Sequence, residues 1–223
     1  MIQDLINKFI TTDEQKFKIA FTHSSYINEN SDKNSDKNFE SNERLEYLGD
    51  SVISYIVSNY LFNNYSNLSE GDLSKIRSEI VNQNSLSEIA VNLNLGEHLI
   101  LGKGEENNKG RIKKSNLCNV FEALFGYFSL NIGIEETSKI LIELVEKKIS
   151  YLVNEKAYFD PKSKLQEKLQ EENLSLPIYE SKQLEDGKFK IDLYINNILY
   201  STALGNRKID AEKEAAKIAL NKF

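Results

Sequence analysis

The sequence has one cysteine, two histidines and two prolines among its 223 residues. Cys118 alone cannot form an internal disulfide, and so few histidine and cysteine ligands argue against a structural zinc site. The first proline is Pro161, so nothing before it breaks a helical pattern in the way proline does. No apolar run approaches the roughly 20 residues of a membrane-spanning helix, and the first residues lack the features of a secretory signal. We therefore expect a cytoplasmic protein without a membrane partner.

The acidic excess is confined to the first part of the chain. Residues 160–223 carry 11 of the 28 basic and 11 of the 34 acidic side chains, which leaves 17 basic and 23 acidic side chains in residues 1–159. The whole net charge of −6 therefore belongs to that first part. Acidic side chains there could hold divalent cations that bridge protein and phosphate. An ordinary acidic surface explains the charge equally well.

Hydrophobic periodicity predicts a helical first domain. A polar loop is expected over residues 28–42, which are rich in Asn, Ser, Asp and Lys. Helices are predicted over 42–60, 72–93, 116–131 and 135–153. In the first of these, residues at intervals of three and four predict one apolar stripe against the core: Leu45, Leu48, Val52, Ile56 and Tyr60.

The pattern changes after residue 153. A helix is predicted from Asp160-Pro161 to about Glu172, then strands over 178–183, 188–195 and 198–204, and a last helix over 207–223. Asn196-Asn197 predicts a tight hairpin, because Asn tolerates the left-handed backbone conformation. The predicted fold class is thus mainly α. An all-helical domain (1–153) and a linker (154–158) precede a small α+β domain of order α-β-β-β-α (159–223), of a size used to grip double-stranded RNA.

Acidic residues at helical spacing suggest a metal site. Glu43, Glu46 and Asp50 share one helix face, and Asn119 and Glu122 are three residues apart on a second helix. If the two helices face each other, their oxygen atoms would suit Mg²⁺ or Mn²⁺. The alternative is a solvated acidic face, with Glu43 favoured at the positive start of its helix.

Gly49 bears on this choice. A glycine inside a helix costs about 1 kcal/mol relative to alanine, so its presence beside Asp50 indicates close packing there. His23, by contrast, is assigned no role, because a lone histidine is more often a hydrogen-bonded structural residue than a ligand.

One stretch of the sequence, Asn-Glu-Arg-Leu-Glu-Tyr-Leu-Gly-Asp-Ser-Val at 42–52, closely resembles the signature of the ribonuclease III family. The resemblance extends, in the right order, over nearly the whole chain. Residues 20–26, 70–77, 101–106 and 120–124 also resemble the family. Residues 160–167 and 211–216 are similar to the two helices of its double-stranded-RNA-binding domain.

The resemblance implies a homodimeric endonuclease that cuts double-stranded RNA with Mg²⁺, for which Mn²⁺ can substitute. It implies 5′-phosphate and 3′-hydroxyl ends and a part in rRNA precursor and mRNA processing. The residues that match metal-ion positions are Glu46, Asp50, Asn119 and Glu122, with Asp50 and Glu122 as the catalytic pair. Glu43 and Glu70 match acidic positions of the cleft. Tyr47 matches an aromatic that inserts into the partner subunit; the alternative is that it belongs to the core.

The resemblance also implies an RNA-binding set in the small domain. Its first helix would face the minor groove with Ser163, Gln166, Glu167 and Gln170. Its last helix would contact phosphates through Arg207, Lys208, Lys213 and also Lys217; the alternative, strongest for Lys213 and Lys217, is solubilising surface charge. The basic run 109–114 has two open interpretations, a guide for the RNA backbone and a mobile charged loop.

The chain departs from the family pattern at three places. Asn119 replaces the usual Asp, which keeps a carbonyl oxygen but removes one negative charge. Residues 184–188 form a shorter loop without the family's Gly-Pro-x-His element, and Lys208-Ile209 replaces a lysine pair. Two alternative functions follow: a double-stranded-RNA-binding protein that has lost efficient cleavage through Asn119, and a metal-binding scaffold whose small domain binds protein.

Overall fold

The computed structural model describes residues 14–30, 40–156, 158 and 160–223. The chain forms two compact units, Met1–Glu155 and Lys156–Phe223, called here the helical unit and the mixed unit. Most of the polar loop expected over 28–42 lies outside the described residues, and its first residues are helical instead. Residues 157 and 159, around the expected linker, also lie outside them.

Nine α-helices are described in the helical unit, together with one 3-10 turn at Gly110–Ile112. They are α1 (Glu14–Phe21), α2 (Ser24–Asn30), α3 (Glu43–Asn64), α4 (Glu70–Val81), α5 (Gln83–Asn92), α6 (Leu95–His98), α7 (Lys103–Asn107), α8 (Lys114–Asn131) and α9 (Gly133–Glu155). The predicted helices over 42–60, 116–131 and 135–153 are therefore present and slightly longer. The short helices were not predicted, because one or two turns are too few for a periodic pattern to show.

Helix α8 is the centre of this unit. Eleven of its 18 residues are buried, including Phe121, Phe125 and Phe128. A helix that is apolar around most of its circumference is stable only when other elements surround it, and α3 and α5 supply two of its walls. Within the described ranges, no helix combines the length and the apolar character needed to cross a membrane.

The buried face of α3 differs from the predicted stripe. Of the five stripe residues only Ile56 is buried. The face that meets the core is made by Gly49, Ile53, Ile56, Val57 and Leu61. The prediction was wrong because it was based on the spacing of large apolar side chains. The closest approach of α3 to α8 is at a glycine, which has no side chain and so does not contribute to such a pattern.

The single helix predicted over 72–93 was also wrong, because it is two helices separated at Asn82. This residue has an extended backbone (φ −69°, ψ 158°), and its Oδ1 accepts a hydrogen bond from the backbone N–H of Ser85 at 2.9 Å. Asparagine is a favoured N-cap because its short side chain satisfies an otherwise unpaired N–H group. A cap in the middle of a periodic pattern thus starts a new helix.

The mixed unit has the predicted order α-β-β-β-α. Helix α10 (Pro161–Glu171) precedes strands β1 (Ile178–Gln183), β2 (Phe189–Ile195) and β3 (Ile198–Gly205), and α11 (Lys208–Leu220) follows. The strands form one antiparallel sheet in the order β1-β2-β3. Alternate β2 residues, Ile191, Leu193 and Ile195, are buried in the core that the two helices share. Asn196 and Asn197 both have positive φ, as the hairpin prediction requires.

Candidate functional site

The closest contact in the helical unit joins the backbones of α3 and α8. A Cβ atom at Gly49 would lie 1.8 Å from the backbone oxygen of Glu122, and one at Gly126 would lie 2.2 Å from that of Leu45. Only glycine fits at either position, since both neighbours are backbone atoms of a packed helix. The close packing predicted at Gly49 is confirmed. It brings the residues next to Gly49 and Glu122 into one region.

Three acidic side chains from the two helices interact in this region. We call them the carboxylate cluster: Glu46, Asp50 and Glu122. Burial raises the pKa of Glu122 to about 7; a hydrogen bond from Cys118 opposes this rise, and the charges of Asp50 and Glu46 add to it. Burial also raises the pKa of Glu46, with further contributions from Glu43 and Asp50. The cluster therefore brings negative charges together in a partly buried place, where water solvates the carboxylates incompletely.

The carboxylate cluster has the ligand chemistry of a hard-cation site. Carboxylate and amide oxygens are the atoms that Mg²⁺ and Mn²⁺ prefer, and a cation would offset both the burial and the repulsion that raise the pKa of Glu122. Among the described residues, no three His, Cys, Asp or Glu side chains lie close enough together to form a complete metal-binding site. Like charges repel in the metal-free protein, so we expect a cation to draw these side chains together.

Cys118 is a neighbour of the cluster that the sequence reasoning missed. Its Sγ donates to Oε1 of Glu122 at 3.5 Å. Burial and the three nearby carboxylates raise the pKa of the thiol to about 12, so it is protonated at neutral pH and is a poor nucleophile. The spacing of four residues between Cys118 and Glu122 could have indicated this contact.

The other candidate metal and cleft residues divide into two groups. Asn119 is half-buried on α8, and the exposed Glu43 acts on the pKa of Glu46. Glu70 lies apart, in the first turn of α4, where it accepts a hydrogen bond from Ser74 Oγ at 2.8 Å. It lines a groove with α3 residues between Tyr55 and Phe62, which are at least five positions beyond Asp50. The structure therefore brings Glu43, but not Glu70, close to the carboxylate cluster of the same chain.

Tyr47 lies on the surface, with 80% of its area exposed. This excludes the alternative that it belongs to the core. An open, largely apolar groove lies beside it, and the lining side chains include Ile19, Leu45, Leu48, Tyr127 and Leu130. An exposed aromatic next to an apolar groove is a surface feature typical of an interaction site.

The basic run 109–114 is ordered by internal contacts. Arg111 Nη1 donates to the backbone oxygens of Gly96 and Glu97, both at 3.0 Å, and its Nε donates to Glu106 at 2.8 Å. Lys113 pairs with Glu105 at 3.2 Å. The interpretation as a mobile loop is therefore wrong. Contact with RNA stays a prediction for this run.

Replacing Arg111 by methionine is expected to lower the free energy of unfolding by about 1–2 kcal/mol, because two backbone acceptors and Glu106 lose their donor. The midpoint of urea denaturation measures this change. The exposed Lys109, two positions before Arg111, serves as a control, since Lys109→Met removes the same charge. An equal, small effect of both substitutions would mean that Arg111 has no structural role.

The mixed unit brings together part of the predicted RNA-binding set. Ser163 and Gln166 of α10 line one groove with Lys213 of α11. Ser163 Oγ donates to Asp160 Oδ2 at 3.0 Å, and Lys213 Nζ lies 3.9 Å from Asp160 Oδ1. Glu167 and Gln170 are exposed on α10, one and two turns beyond Ser163, so the four polar residues share a face.

Three of the four cations predicted to contact phosphate, Arg207, Lys208 and Lys213, have an acidic neighbour. Arg207 forms a two-armed ion pair with Asp210, and Lys208 Nζ is 4.0 Å from Glu212. Lys213 has Asp160. Glu212 also binds Lys162 at 2.6 Å, an ion pair between α11 and α10 that no sequence pattern indicated, since 50 residues separate the two.

Each unit matches a known family model. Residues 13–149 match the model described as Ribonuclease-III-like, and residues 161–223 match the Double-stranded RNA binding motif. Ribonuclease 3 of Borreliella burgdorferi is 40% identical over 205 residues, which are 90% of this chain and 82% of that relative. Ribonuclease 3 of Bacillus cereus is 41% identical over 219 residues, 95% of this chain and 86% of the relative. The nuclease domain of ribonuclease III from Campylobacter jejuni superposes with a TM-score of 0.55 at 37% identity, over 64% of this chain and 94% of that one.

Proposed function

Because this chain belongs to the ribonuclease III family of double-stranded-RNA-specific endoribonucleases, we propose that its carboxylate cluster holds the divalent ions of the cleavage reaction. The observation that carries this proposal is the contact of Gly49 with the backbone of Glu122, which joins the acids of α3 and α8 in one partly buried site. The raised pKa of Glu122 supports it, because a cation is the natural partner of such a group.

The roles of the residues follow from their charge and position. In this proposal Glu46, Asp50 and Glu122 would hold Mg²⁺, for which Mn²⁺ could substitute, and Asp50 and Glu122 would be the catalytic pair. An ion held there would polarise the phosphodiester and activate water for in-line attack. In this hydrolysis the water oxygen would form the new bond to phosphorus, and the bond from phosphorus to the 3′ oxygen would break. Water gives up a proton and the 3′ oxygen takes one up, so the products would carry 5′-phosphate and 3′-hydroxyl ends. Glu43 is an outer acid of the same cleft.

Asn119 makes a second function worth testing. Its amide oxygen can bind a cation, but it contributes no charge, so each site holds its ions with one negative charge fewer than the usual family pattern. If ion binding becomes too weak, the chain acts as a double-stranded-RNA-binding protein with little cleavage. Because Glu46, Asp50 and Glu122 still supply three interacting carboxylates to one region, cleavage is the function we propose first.

In this proposal the mixed unit binds the double-stranded RNA. Its minor-groove residues are Ser163, Gln166, Glu167 and Gln170 on α10, and its phosphate contacts are Arg207, Lys208 and Lys213 around the start of α11. A wide, shallow minor groove suits polar side chains on a helix face, and the flanking phosphates suit cations. The substrates we propose are rRNA precursors and structured mRNA in the cytoplasm, where the buried single thiol of Cys118 stays reduced.

The active form we propose is a homodimer in which Tyr47 of each subunit enters the apolar groove of the other. Such a contact is self-complementary, as two-fold symmetry requires. A solved Campylobacter jejuni nuclease domain is described as flexible in a region involved in dimer formation. In this chain, the support is the exposure of Tyr47 beside the groove.

Tyr47→Asp is expected to raise the dimer dissociation constant by at least about tenfold, since a buried aromatic at an interface centre is often a dominant contact. Sedimentation equilibrium of the full chain measures the change. Tyr151→Asp is the matched control, because Tyr151 is also an exposed tyrosine but does not line the groove. A Tyr47 variant that stays as dimeric as the control would contradict the proposed interface.

The proposed function is tested by incubating the purified chain with a long RNA duplex in Mg²⁺, in Mn²⁺ and in chelator. We expect short duplexes with 5′-phosphates in either metal and none in chelator. Binding without cleavage that Asn119→Asp converts to cleavage would establish the second function. If the chain neither binds nor cuts the duplex, the proposal is wrong.

A further inference from the structure

The ion pair between Arg207 and Asp210 has an unusual position for a nucleic-acid-binding surface. Arg207 is the N-cap of α11 and Asp210 lies in its first turn, where phosphate contacts are proposed. Arg207 Nε donates to Asp210 Oδ2 at 2.8 Å and Nη2 donates to Oδ1 at 2.9 Å. Both arms of the guanidinium fork are therefore occupied by the protein's own carboxylate.

A carboxylate and a phosphate offer the same pair of acceptor oxygens to a guanidinium group, so the two compete for one geometry. The pair lies in water, with 76% of the Arg207 side chain and 44% of the Asp210 side chain exposed. Exposed ion pairs of this kind are weak, because solvent screens them. An RNA phosphate can therefore displace the Asp210 carboxylate from Arg207. Arg207 then loses its ion pair with Asp210, which reduces the net gain from the phosphate contact.

We infer that Asp210 competes with RNA phosphate for Arg207 and so limits the affinity of the mixed unit for double-stranded RNA. The inference deepens the proposed function and rests on it. Asp210 is also close enough to Lys213 for the two charges to attract, so one carboxylate reduces the effect of two cations. This chain has few cations for phosphate contact, and the charge of one of them, Arg207, is thus offset by Asp210.

Asp210 differs from the acids beside the other two cations. Glu212 forms a close ion pair with Lys162, and its side chain is only 13% exposed, so it links α10 to α11. Asp160 accepts a hydrogen bond from Ser163 at the start of α10. These two acids have structural contacts that a substitution would disturb. The contacts described for the Asp210 side chain join it to Arg207 and Lys213, so Asp210→Asn changes the charge with little effect on packing.

The test measures binding of the whole 223-residue chain to an RNA duplex of about 16 base pairs, the length such a domain spans, in chelator to prevent cleavage. Asp210→Asn is expected to tighten binding roughly two- to fivefold, the range set by an exposed ion pair. The slope of log affinity against log salt should become steeper by up to about 0.9, because one more cation reaches a phosphate. Arg207→Ala should weaken binding by less than about twofold in the natural chain, but should cancel the whole gain when combined with Asp210→Asn.

Asp192→Asn is the matched control, since it removes the same charge from the same unit. Asp192 is on β2 between the buried Ile191 and Leu193, so it points away from the two helices. There it pairs with Lys190 and accepts a hydrogen bond from Thr202 Oγ1, for which asparagine keeps an acceptor oxygen. It should leave affinity unchanged, and melting temperatures of the variants should agree within a few degrees. Binding by Asp210→Asn that equals or falls below that of the control would overturn the inference while leaving the RNA-binding function intact. Failure of all the chains to bind would overturn that function and the inference with it.

Discussion

Replacing Gly49 by alanine is expected to lower the free energy of unfolding by roughly 3 kcal/mol or more and the melting temperature by about 6–12 °C. The added Cβ would lie 1.8 Å from the backbone oxygen of Glu122, a contact that only movement of a whole helix can relieve. Separation of α3 from α8 also moves Glu46 and Asp50 away from Glu122, so cleavage should fall with stability. Thermal unfolding and a duplex-cleavage assay measure the two effects.

Gly71→Ala is the control for this substitution. Gly71 is also helical, but the nearest atom to an added Cβ is Ser69 Oγ at 3.9 Å, which is ordinary contact. Alanine should be neutral or slightly stabilising there, by up to about 1 kcal/mol. If both alanine variants have the melting temperature of the natural chain, the backbone contact between α3 and α8 does not position the carboxylate cluster.

Replacing Glu122 by glutamine is expected to reduce cleavage by at least about 100-fold, since the removal of a charged ligand weakens the electrostatic stabilisation that a bound ion provides. Binding of uncut duplex in chelator should change little, because Glu122 is not in the RNA-binding set. Glu88→Gln, on the exposed side of α5, removes the same charge elsewhere and should leave cleavage intact. Full cleavage by the Glu122 variant would mean that this carboxylate is not a ligand.

The same variant should have a pH-dependent effect on the metal-free protein. Burial raises the pKa of Glu122 from 4.5 to about 7, so the protonated carboxyl is favoured in the folded chain. The stabilisation from this group is complete below about pH 4.5 and is lost as the pH rises through about 7. In chelator, Glu122→Gln should therefore be more stable than the natural chain at pH 8, by about 1 kcal/mol once solvent screening is allowed for. The difference should vanish near pH 5, and melting temperatures across this range measure it.

The mixed unit was predicted almost completely because its signals are local. Alternation in β2 shows which residues are buried, and Asn196-Asn197 marks the turn between two adjacent strands. Both patterns need only neighbours in the chain, and the strands pair in sequence order. The long helices of the helical unit were predicted for the same reason.

Features that join distant segments were not predictable in this way. The pattern of large apolar residues gave the wrong face for α3, because the contact with α8 is made at Gly49 and Gly126, 77 positions apart. The charged run around Arg111 was open to two interpretations until its contacts with Gly96, Glu97 and Glu106 showed its structural role. In both cases the partner lies in another element.

The sequence by itself determined the family, the order of helices and strands, and the residue types available for a metal site and for RNA contact. These follow from local periodicity and from a resemblance over nearly the whole chain. Only the tertiary structure decided the raised pKa values of Glu122 and Cys118, the pairing of Arg207 with Asp210, and the separation of Glu70 from the carboxylate cluster. The physical reason is that burial and electrostatic interaction depend on distances between side chains, and those distances arise when helices pack.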